Sequence, residues 1–426
     1  MGRHVTDALE ALRQLGTPEE IRALARQDRT ARPLPRANAH IHLPPNFSAF
    51  ESVEQAVDLA AEQGIAALGV SNYYDYDVYG DFAEHARRKG IFPLFGTEII
   101  CMDDALRDAG IKINDPGNPG KIYFCGKGIT GFDELTPRAA QLLSVIRHSD
   151  STRMARMVGQ LASLFAERGL ATDIDEPAVV EMIVRRHGSD RRTVYLQERH
   201  LAQAFQEALF RDVQPADRIE RLNRVLGAKT KAGHPGDFVT IQNDIRSHLM
   251  KAGKPAFVEE TFVSFADAYR MVLELGGIPC YPTLADGTAP ICQFEQSPGQ
   301  LIAELKSRNL HAAEFIPIRN NAHVLRQYAL EMRAAGLMLT AGTEHNTLDL
   351  IPFDPCCKDG PVPDDLREVF WEGACVVAGH QFLALHGECG FVDGAGNPNP
   401  HYASAHQRIR AFASLGAAVM RRFHEA

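Results

Sequence analysis

The segment ANAHIHLPPN, residues 37–46, places two histidines one residue apart at the end of a short apolar run. Side chains two residues apart on a strand point to the same face, so the imidazoles of His40 and His42 can reach one point. Two convergent imidazoles are a frequent part of transition-metal sites. Because the chain has 17 histidines, the same spacing also arises by chance. The elements around the pair must decide between these interpretations.

Strands and helices alternate on both sides of a long helical interruption. The first part alternates strand and helix through ANAHIHL, SVEQAVDLAAEQG, IAALGVSNYYD, DFAEHARRKG and IFPLFGTEII. The same alternation returns in SFADAYRMVLELGG, IPCYPTL, GQLIAELKSRNL, HAAEFIPI, HVLRQYALEMRAAG and LMLTAGTEHN. This order predicts an α/β fold, namely a distorted TIM-like (β/α) barrel with a helical insertion.

The pattern divides the chain into five segments. They are an N-terminal helical segment at 1–35, the first part of the barrel at 36–135, a helical insertion that covers the site at 136–253, the second part of the barrel at 254–358, and a C-terminal helical segment packed on the barrel at 359–426. The insertion is charged and shows little of the alternation that strands require, which favours helices. In the last segment, REVFWEGACVVAGHQFLALHGE predicts a long helix.

Polar side chains gather at the ends of the predicted strands. They are His40 and His42, Asn72 with Tyr73 and Tyr74, Glu98, Tyr281, Glu314 with Arg319, and Glu344 with His345. In α/β barrels the chemistry lies where strands end and the following loops begin. Each of these residues alone could be an ordinary hydrogen-bonded polar group. Together they predict a functional site at the mouth of the barrel.

The composition limits the classes of function. A net charge of −9 and a pI near 6.0 leave no excess positive charge for a general nucleic-acid binder. The eight cysteines form no C-x-x-C pair, which is typical of reduced cytoplasmic thiols. The chain shows no signal-peptide pattern, no apolar run long enough for a membrane span, and no ATP-binding or NAD-binding motif. We therefore expect a cytoplasmic protein, with homo-oligomerisation left open.

The order of HIH, GVSNY, FGTEI, GGIPCYPTL, AAEFIPI and LTAGTEHN resembles the motif series of the PHP (polymerase and histidinol phosphatase) family of metal-dependent phosphoesterases. The resemblance covers most of the chain and implies a barrel of the PHP type. It implies that His40 and His42 form the first metal-binding pair and that Glu98 is a ligating carboxylate. In the insertion, QERHLAQAFQEAL is similar to the family segment that supplies a further ligand, here His200.

Several positions depart from the family pattern. Tyr73 and Tyr281 stand where the family has metal-binding histidines, and Glu344 stands where it has an aspartate. His345 lies one place before the position of the last histidine. A neutral tyrosine is a poor metal ligand because its phenol titrates near pH 10, so two ligands of a multinuclear cluster are lost or recruited differently.

The candidate ligands that remain are imidazoles and carboxylates: His40, His42, Glu98, His200, Glu344 and His345. This donor set suits a divalent Zn, Mn or Fe ion. We expect one such ion, with two as the alternative.

Four other residues are candidates for contact with substrate. Tyr73 and Tyr281 could act as hydrogen-bond donors or as a general acid, or they could simply pack at the barrel mouth with wet hydroxyls. Arg199 and Arg319 neighbour the candidate site residues, and their guanidinium groups suit a phosphate or carboxylate. We therefore expect a small anionic molecule as substrate.

Three functions remain open at this point. The resemblance favours a metal-dependent hydrolase that acts on a phosphorylated or sugar-acid-like substrate through metal-bound hydroxide. The lost histidines favour a metal-dependent isomerase, epimerase or lyase of sugar-like acids, which uses the metal as a Lewis acid. A degenerate, non-catalytic binding protein is the third, and the ligand-type residues that persist speak against it.

Overall fold

The computed structural model describes residues 5–27, 34–170, 172–211 and 213–425. The strands are β1 Arg36–Ile41, β2 Ile65–Val70, β3 Phe92–Met102, β4 Lys121–Lys127, β5 Val263–Ser264, β6 Ile278–Thr283, β7 Ala312–Phe315, β8 Met338–Ala341, β9 Cys356–Cys357 and β10 Gly360–Pro361. The α-helices are α1 Val5–Arg13, α2 Pro18–Gln27, α3 Val53–Glu62, α4 Tyr79–Arg88, α5 Asp104–Asp108, α6 Pro137–Glu167, α7 Glu176–His187, α8 Glu198–Arg211, α9 Arg218–Leu226, α10 Phe238–Ile245, α11 Phe265–Glu274, α12 Pro298–Ser307, α13 Ala322–Ala334, α14 Asp364–Leu385 and α15 Ala405–Glu425. A π-helical turn, Arg246–Met250, directly follows α10.

Seven strands form a nearly closed barrel in the order β1-β2-β3-β4-β6-β7-β8, and β5 pairs with β3 outside this path. Neighbouring strands are parallel except around β4, which is antiparallel to both β3 and β6. The loop after β8 is hydrogen-bonded to β1. The amide of His42 donates to the carbonyl oxygen of Glu344 at 2.9 Å, and the amide of Glu344 donates to the carbonyl oxygen of His40 at 2.8 Å. The distorted TIM-like barrel expected from the sequence is confirmed.

The barrel strands are buried almost throughout their length. Residues 312–315 of β7 and 338–341 of β8 are all buried, and β2 exposes only residue 66 in part. Strands of a parallel sheet are covered on both faces, which explains why they read as apolar runs in the sequence. The polar side chains that do lie inside this barrel therefore need partners inside it.

The helices between β4 and β5 have an apolar core of their own. The first turns of α6 contribute Leu143 and Ile146 to the barrel core, whereas its later turns contribute Leu161 and Phe165 to a second core shared with α7 to α10. Phe205 of α8 stacks edge-on against Phe165 in that second core. The long helix α6 thus links the barrel to a helical body beside it.

The C-terminal helices pack directly on the barrel. A Cβ atom placed on Gly373 of α14 would lie 1.8 Å from the carbonyl oxygen of Leu339 in β8. A Cβ on Gly416 of α15 would lie 1.7 Å from the carbonyl oxygen of Cys375 in α14. Only glycine permits these two contacts, so α14 lies against the sheet backbone and α15 lies against α14.

The segment limits inferred from the sequence remain predictions. The expected N-terminal helical segment includes α1 and α2, while its residues 1–4 and 28–33 lie outside the described residues. Residue 426 at the other end also lies outside them. None of the helices in the described ranges combines the length and the apolar character that crossing a bilayer would require.

Candidate metal centre

Three buried side chains bring one ligand atom each to a common point at the end of β1. Nε2 of His40 lies 3.4 Å from Nε2 of His42 and 3.4 Å from Oε2 of Glu98. Nε2 of His42 lies 3.2 Å from the same Glu98 oxygen. His40 and His42 converge because they are two residues apart on β1 and its extension, and Glu98 comes from β3, with β2 between the two strands.

This triangle has the size that a metal ion requires. Bonds of about 2.0–2.1 Å at tetrahedral angles place neighbouring ligand atoms about 3.3–3.4 Å apart. The three observed separations, 3.2–3.4 Å, match that spacing. Oε2 of Glu98 and Nδ1 of His42 are buried and have no hydrogen-bond partner in the described part of the chain. Two imidazoles and one carboxylate therefore fit a single divalent ion, with a fourth position free.

The other nitrogen of His40 is held by a buried ion pair. Nδ1 of His40 lies 2.7 Å from Oε1 of Glu314, and Nζ of Lys127 lies 2.6 Å from Oε2 of the same carboxylate. Thr340 also donates to Glu314, and Lys127 donates to the carbonyl oxygen of Ala39. A carboxylate behind a histidine is a common arrangement at metal sites because it fixes which ring nitrogen carries the proton.

The electrostatics of the cluster favour positive charge at the triangle. Burial alone would lower the pKa of His40, but the Glu314 carboxylate raises it and the resulting value is about 9. Burial would raise the pKa of Glu98, but the His40 and His42 rings hold it well below its ordinary value. A carboxylate that stays ionised among converging imidazoles suits a bound cation.

A second group of ligand-type side chains shares one member with the first. Ligand atoms of His40, Cys125 and Glu314 lie within 4.8 Å of one another. Burial raises the pKa of the Cys125 thiol well above its ordinary value, and Glu314 is already paired with Lys127. Because a metal binds the thiolate and not the thiol, this group suits hydrogen bonding better than metal binding.

A cavity of about 510 Å³ opens beside the triangle, between the barrel and the helical insertion. Tyr73 and Glu98 line one part of it, and Arg319 and Glu344 line another. The Tyr73 ring is stacked on His42, with ring centres 5.2 Å apart and an angle of 11° between the planes. Burial and the nearby Glu98 carboxylate raise the pKa of Tyr73 well above its ordinary value, so its hydroxyl stays protonated at neutral pH and can donate a hydrogen bond.

His200 lies elsewhere than the sequence suggested. It belongs to the first turn of α8, where its Nδ1 accepts a hydrogen bond from the Gln197 amide at 3.1 Å and so caps the helix. Its ring packs edge-on against Phe47 and lines a different cavity, which does not include Glu98. The cluster of ligand atoms within 4.8 Å around His40 does not extend to His200. This placement does not fit the expectation that His200 is a fourth metal ligand supplied by the insertion.

Glu344 and His345 also differ from the expected ligands. Both residues have left-handed backbone conformations, with φ of 58° and 49°. The Glu344 carboxylate is paired with Arg319 through two hydrogen bonds. Both ring nitrogens of His345 are engaged, Nδ1 by the Thr343 hydroxyl at 2.7 Å and Nε2 by the carbonyl of Ile351 at 2.9 Å. Neither side chain reaches the triangle.

The two tyrosines are separated. Tyr73 lines the cavity, whereas Tyr281 is buried outside it and donates a hydrogen bond of 2.7 Å to Glu295. Tyr281 follows Cys280 on β6. Because side chains alternate along a strand, the side chains of Cys280 and Tyr281 point to opposite faces of the sheet. Tyr281 is therefore not positioned to contact a ligand in this cavity. Arg199 and Arg319 both line it.

The sequence pointed only partly to the residues behind the triangle. Glu314 stood out as a polar strand end, but its pairing with His40 was not expected. Lys127 was missed, although a lysine in the apolar strand KIYFCGK is a recognisable signal because a buried ammonium needs a carboxylate partner. The partner is Glu314 of β7, and it is the barrel topology that places Glu314 beside Lys127.

Comparison with a solved structure supports the fold. One solved structure with a similar fold, a candidate metal-dependent phosphoesterase from Bifidobacterium adolescentis, has a TM-score of 0.52 and 15% identity over 80% of this chain and 96% of its own. Another, an amidohydrolase from Chromobacterium violaceum with bound sulfate and no metal, has a TM-score of 0.49 and 16% identity over 78% of this chain and 95% of its own. No protein-family model and no curated protein sequence matches the chain.

Proposed function

We propose that this protein is a metal-dependent hydrolase of the PHP type that acts on a small anionic substrate, such as a phosphate ester. The observation that carries the proposal is the triangle of His40 Nε2, His42 Nε2 and Glu98 Oε2, whose sides of 3.2–3.4 Å fit one metal ion. A divalent ion held there would lower the pKa of a bound water and polarise a phosphoryl or carbonyl oxygen. Three protein ligands and one free position are typical of catalytic sites.

The residues around the cavity suit an anionic reacting group. Arg319 is held in place by Glu344 and lines the same cavity as Glu98, so its guanidinium can bind and orient a phosphate or carboxylate. Tyr73 holds its proton and lies against His42, where its hydroxyl can donate a hydrogen bond to the oxygen of a leaving group. Arg319 therefore positions the substrate, and Tyr73 supplies a hydrogen-bond donor beside it.

The residues behind the triangle keep the ligands in position. Glu314 accepts the Nδ1 proton of His40 and leaves Nε2 free to face the metal position. Lys127 balances the charge of Glu314 inside the barrel. A buried ion pair alone is weak evidence for stability, and this contact gives it a role in positioning His40.

Metal content and phosphatase activity test the proposal together. The full chain, purified without chelators, should contain about one equivalent of Zn, Mn or Fe, and the His40→Ala/His42→Ala variant should contain much less. The unaltered protein should release inorganic phosphate from some members of a panel of phosphate monoesters. A chelator should abolish this activity, and one of the three metals should restore it.

Two other results would redirect the proposal. Unaltered protein that binds no metal when all three ions are supplied would favour a non-catalytic binding protein. Protein that binds metal and interconverts sugar acids, but hydrolyses no ester, would favour the metal-dependent isomerase, epimerase or lyase. The position of Tyr281 outside the cavity leaves that second alternative with one tyrosine fewer than the sequence suggested.

A further inference from the structure

A group of basic side chains shares a single carboxylate where the insertion meets the cavity. Glu198 of α8 accepts Nη2 of Arg153 at 2.9 Å, Nζ of Lys251 at 2.7 Å and Nη2 of Arg246 at 3.3 Å. The three cations and Glu198 all line the cavity that also contains Glu98. Arg153 also lies 3.8 Å from Glu260. Two carboxylates therefore face three cations, so this wall of the cavity keeps an excess of positive charge.

Two of the arginines there have unused hydrogen-bonding capacity. Nε of Arg246 is buried and has no partner in the part of the chain that the structure describes. Arg199, next to Glu198 on α8, donates to the side-chain oxygen of Asn243 at 3.3 Å and has no ion-pair partner within the described ranges. An unpaired buried guanidinium nitrogen is costly, and an anionic ligand removes that cost.

The backbone brings Arg246 and Lys251 together. The chain from Arg246 to Met250 forms a π-helical turn, and the amide of Lys251 donates to the carbonyl of Arg246 at 3.1 Å. In an α-helix, residues five apart face different directions, whereas the i→i+5 hydrogen bond of a π-turn brings them closer together. Single π-turns occur frequently at functional sites, and this one places two cations over the same carboxylate.

Acidic residues nearby do not remove the positive character of this wall. Asp115 is engaged by the amides of Gly117 at 2.7 Å and Asn118 at 3.1 Å, and it pairs with Lys121. Burial raises the pKa of Asp150 to about 6, which weakens its charge near neutral pH. Neither carboxylate pairs with Arg199 or Arg246 among the described residues.

We propose that Arg199, Arg246 and Lys251 form a second anion-binding subsite, which holds a carboxylate or phosphate of the substrate remote from the group that reacts beside Glu98. The part of this inference that concerns the reacting end of the substrate rests on the proposed function. The substrate is then a small molecule with two acidic groups, and the cavity volume of about 510 Å³ suits such a ligand. Arg319 and Glu344 lie on the cavity wall as well.

Calorimetric titration of the full chain tests the subsite with two probes, inorganic phosphate and malonate. We expect at least one to bind, and the stronger binder identifies the preferred acidic group. Arg246→Met and Lys251→Met should each weaken that binding about ten-fold or more, since each removes a charge-assisted contact. The charge-conserving variants Arg246→Lys and Lys251→Arg should retain most of it. Lys254→Met, at an exposed position three residues from Lys251, is the matched control and should change nothing.

The His40→Ala/His42→Ala variant separates this inference from the proposed function. Probe binding that persists in this variant but is lost in Arg246→Met locates the anion at the insertion, whether or not the unaltered protein binds metal. Probe binding that is lost in the histidine variant but kept in Arg246→Met and Lys251→Met would locate the anion at the metal end and overturn the subsite. Absence of binding of both probes to folded, unaltered protein at millimolar concentration would also overturn it.

Discussion

Nδ1 of His40 lies 2.7 Å from Oε1 of Glu314, inside the barrel and behind the position proposed for the metal. The contact gives the two ring nitrogens different roles: Nδ1 donates its proton to the carboxylate, and Nε2 faces the triangle, where a bound metal would take the place of a proton. Because Glu314 is itself paired with Lys127, the orientation of His40 depends on a charge on the opposite side of the barrel. The first prediction concerns this chain of contacts.

Replacing Glu314 with Gln should weaken metal binding about 10- to 100-fold, the range seen when a carboxylate behind a metal-binding histidine is removed. The same change leaves the Lys127 ammonium buried without its carboxylate, so the free energy of unfolding should fall by about 3–5 kcal/mol. Competition with a chromogenic chelator measures the metal affinity. Urea unfolding of the metal-free protein measures the stability.

The double variant Glu314→Gln/Lys127→Met separates these two effects. It removes the unpaired ammonium, so most of the lost stability should return while metal affinity stays low. Metal affinity that recovers together with stability would show that Glu314 acts only through the fold and not through His40.

The second prediction compares two histidines of the expected ligand set. His42→Gln should remove most of the bound metal, because it deletes one corner of the triangle. His345→Gln should keep the metal and lower the free energy of unfolding by about 1–3 kcal/mol, because it disrupts buried hydrogen bonds to Thr343 and Ile351. Elemental analysis of both purified variants gives the answer. Equal loss of metal in the two would mean that His345 moves into the site when metal binds.

The barrel was predictable because its strands and helices are local patterns. The apolar runs IAALGVSNYYD and LMLTAGTEHN contain β2 and β8, IFPLFGTEII covers β3 except its last two residues, and SVEQAVDLAAEQG contains α3. Ser52 caps α3 by accepting the amide of Gln55, a signal that the sequence shows directly. Strand β4 was missed because it lies among turn residues and runs antiparallel to its neighbours, so it is not part of a strand–helix alternation.

The metal site was predictable to the extent that its residues lie at strand ends. His40, His42 and Glu98 depend on strand position alone, and the structure brings them together. His200 and His345 depend on how a loop or helix turns after the motif, which the left-handed backbone at 344–345 and the cap at 197–200 determine. Composition and spacing do not encode those local conformations, so these two placements differed from expectation.

The third prediction contrasts the two tyrosines. Tyr73→Phe should lower turnover on the order of 10- to 100-fold with unchanged metal content, because it removes a hydrogen-bond donor from the cavity and keeps the ring stacked on His42. Tyr281→Phe should leave turnover within about two-fold but reduce the free energy of unfolding by about 1–2 kcal/mol, since it removes the hydrogen bond to Glu295. Steady-state kinetics and urea unfolding measure the two effects. The reverse pattern would assign the catalytic donor to Tyr281.

The last prediction is a pH dependence of stability that originates at Glu295. This carboxyl is fully buried, and burial raises its pKa to about 7, although the Tyr281 hydroxyl and the amides of Leu284 and Ala285 act in the opposite direction. A carboxyl whose pKa is raised by folding holds its proton more tightly in the folded chain than in the unfolded chain. Its stabilising contribution is therefore complete below pH 4.5 and is lost as the pH rises towards 7.

Between pH 4.5 and 7, the free energy of unfolding of the unaltered protein should fall by about 3 kcal/mol relative to that of Glu295→Gln, whose side chain stays uncharged and cannot titrate. The difference between the two unfolding free energies, measured in urea at several pH values, cancels the contributions of the histidines and other carboxyls common to both proteins. Metal-free samples avoid a further pH dependence from metal binding. A difference that stays constant from pH 4.5 to 7 would show that Glu295 is ionised throughout, stabilised by its three hydrogen-bond donors in spite of its burial.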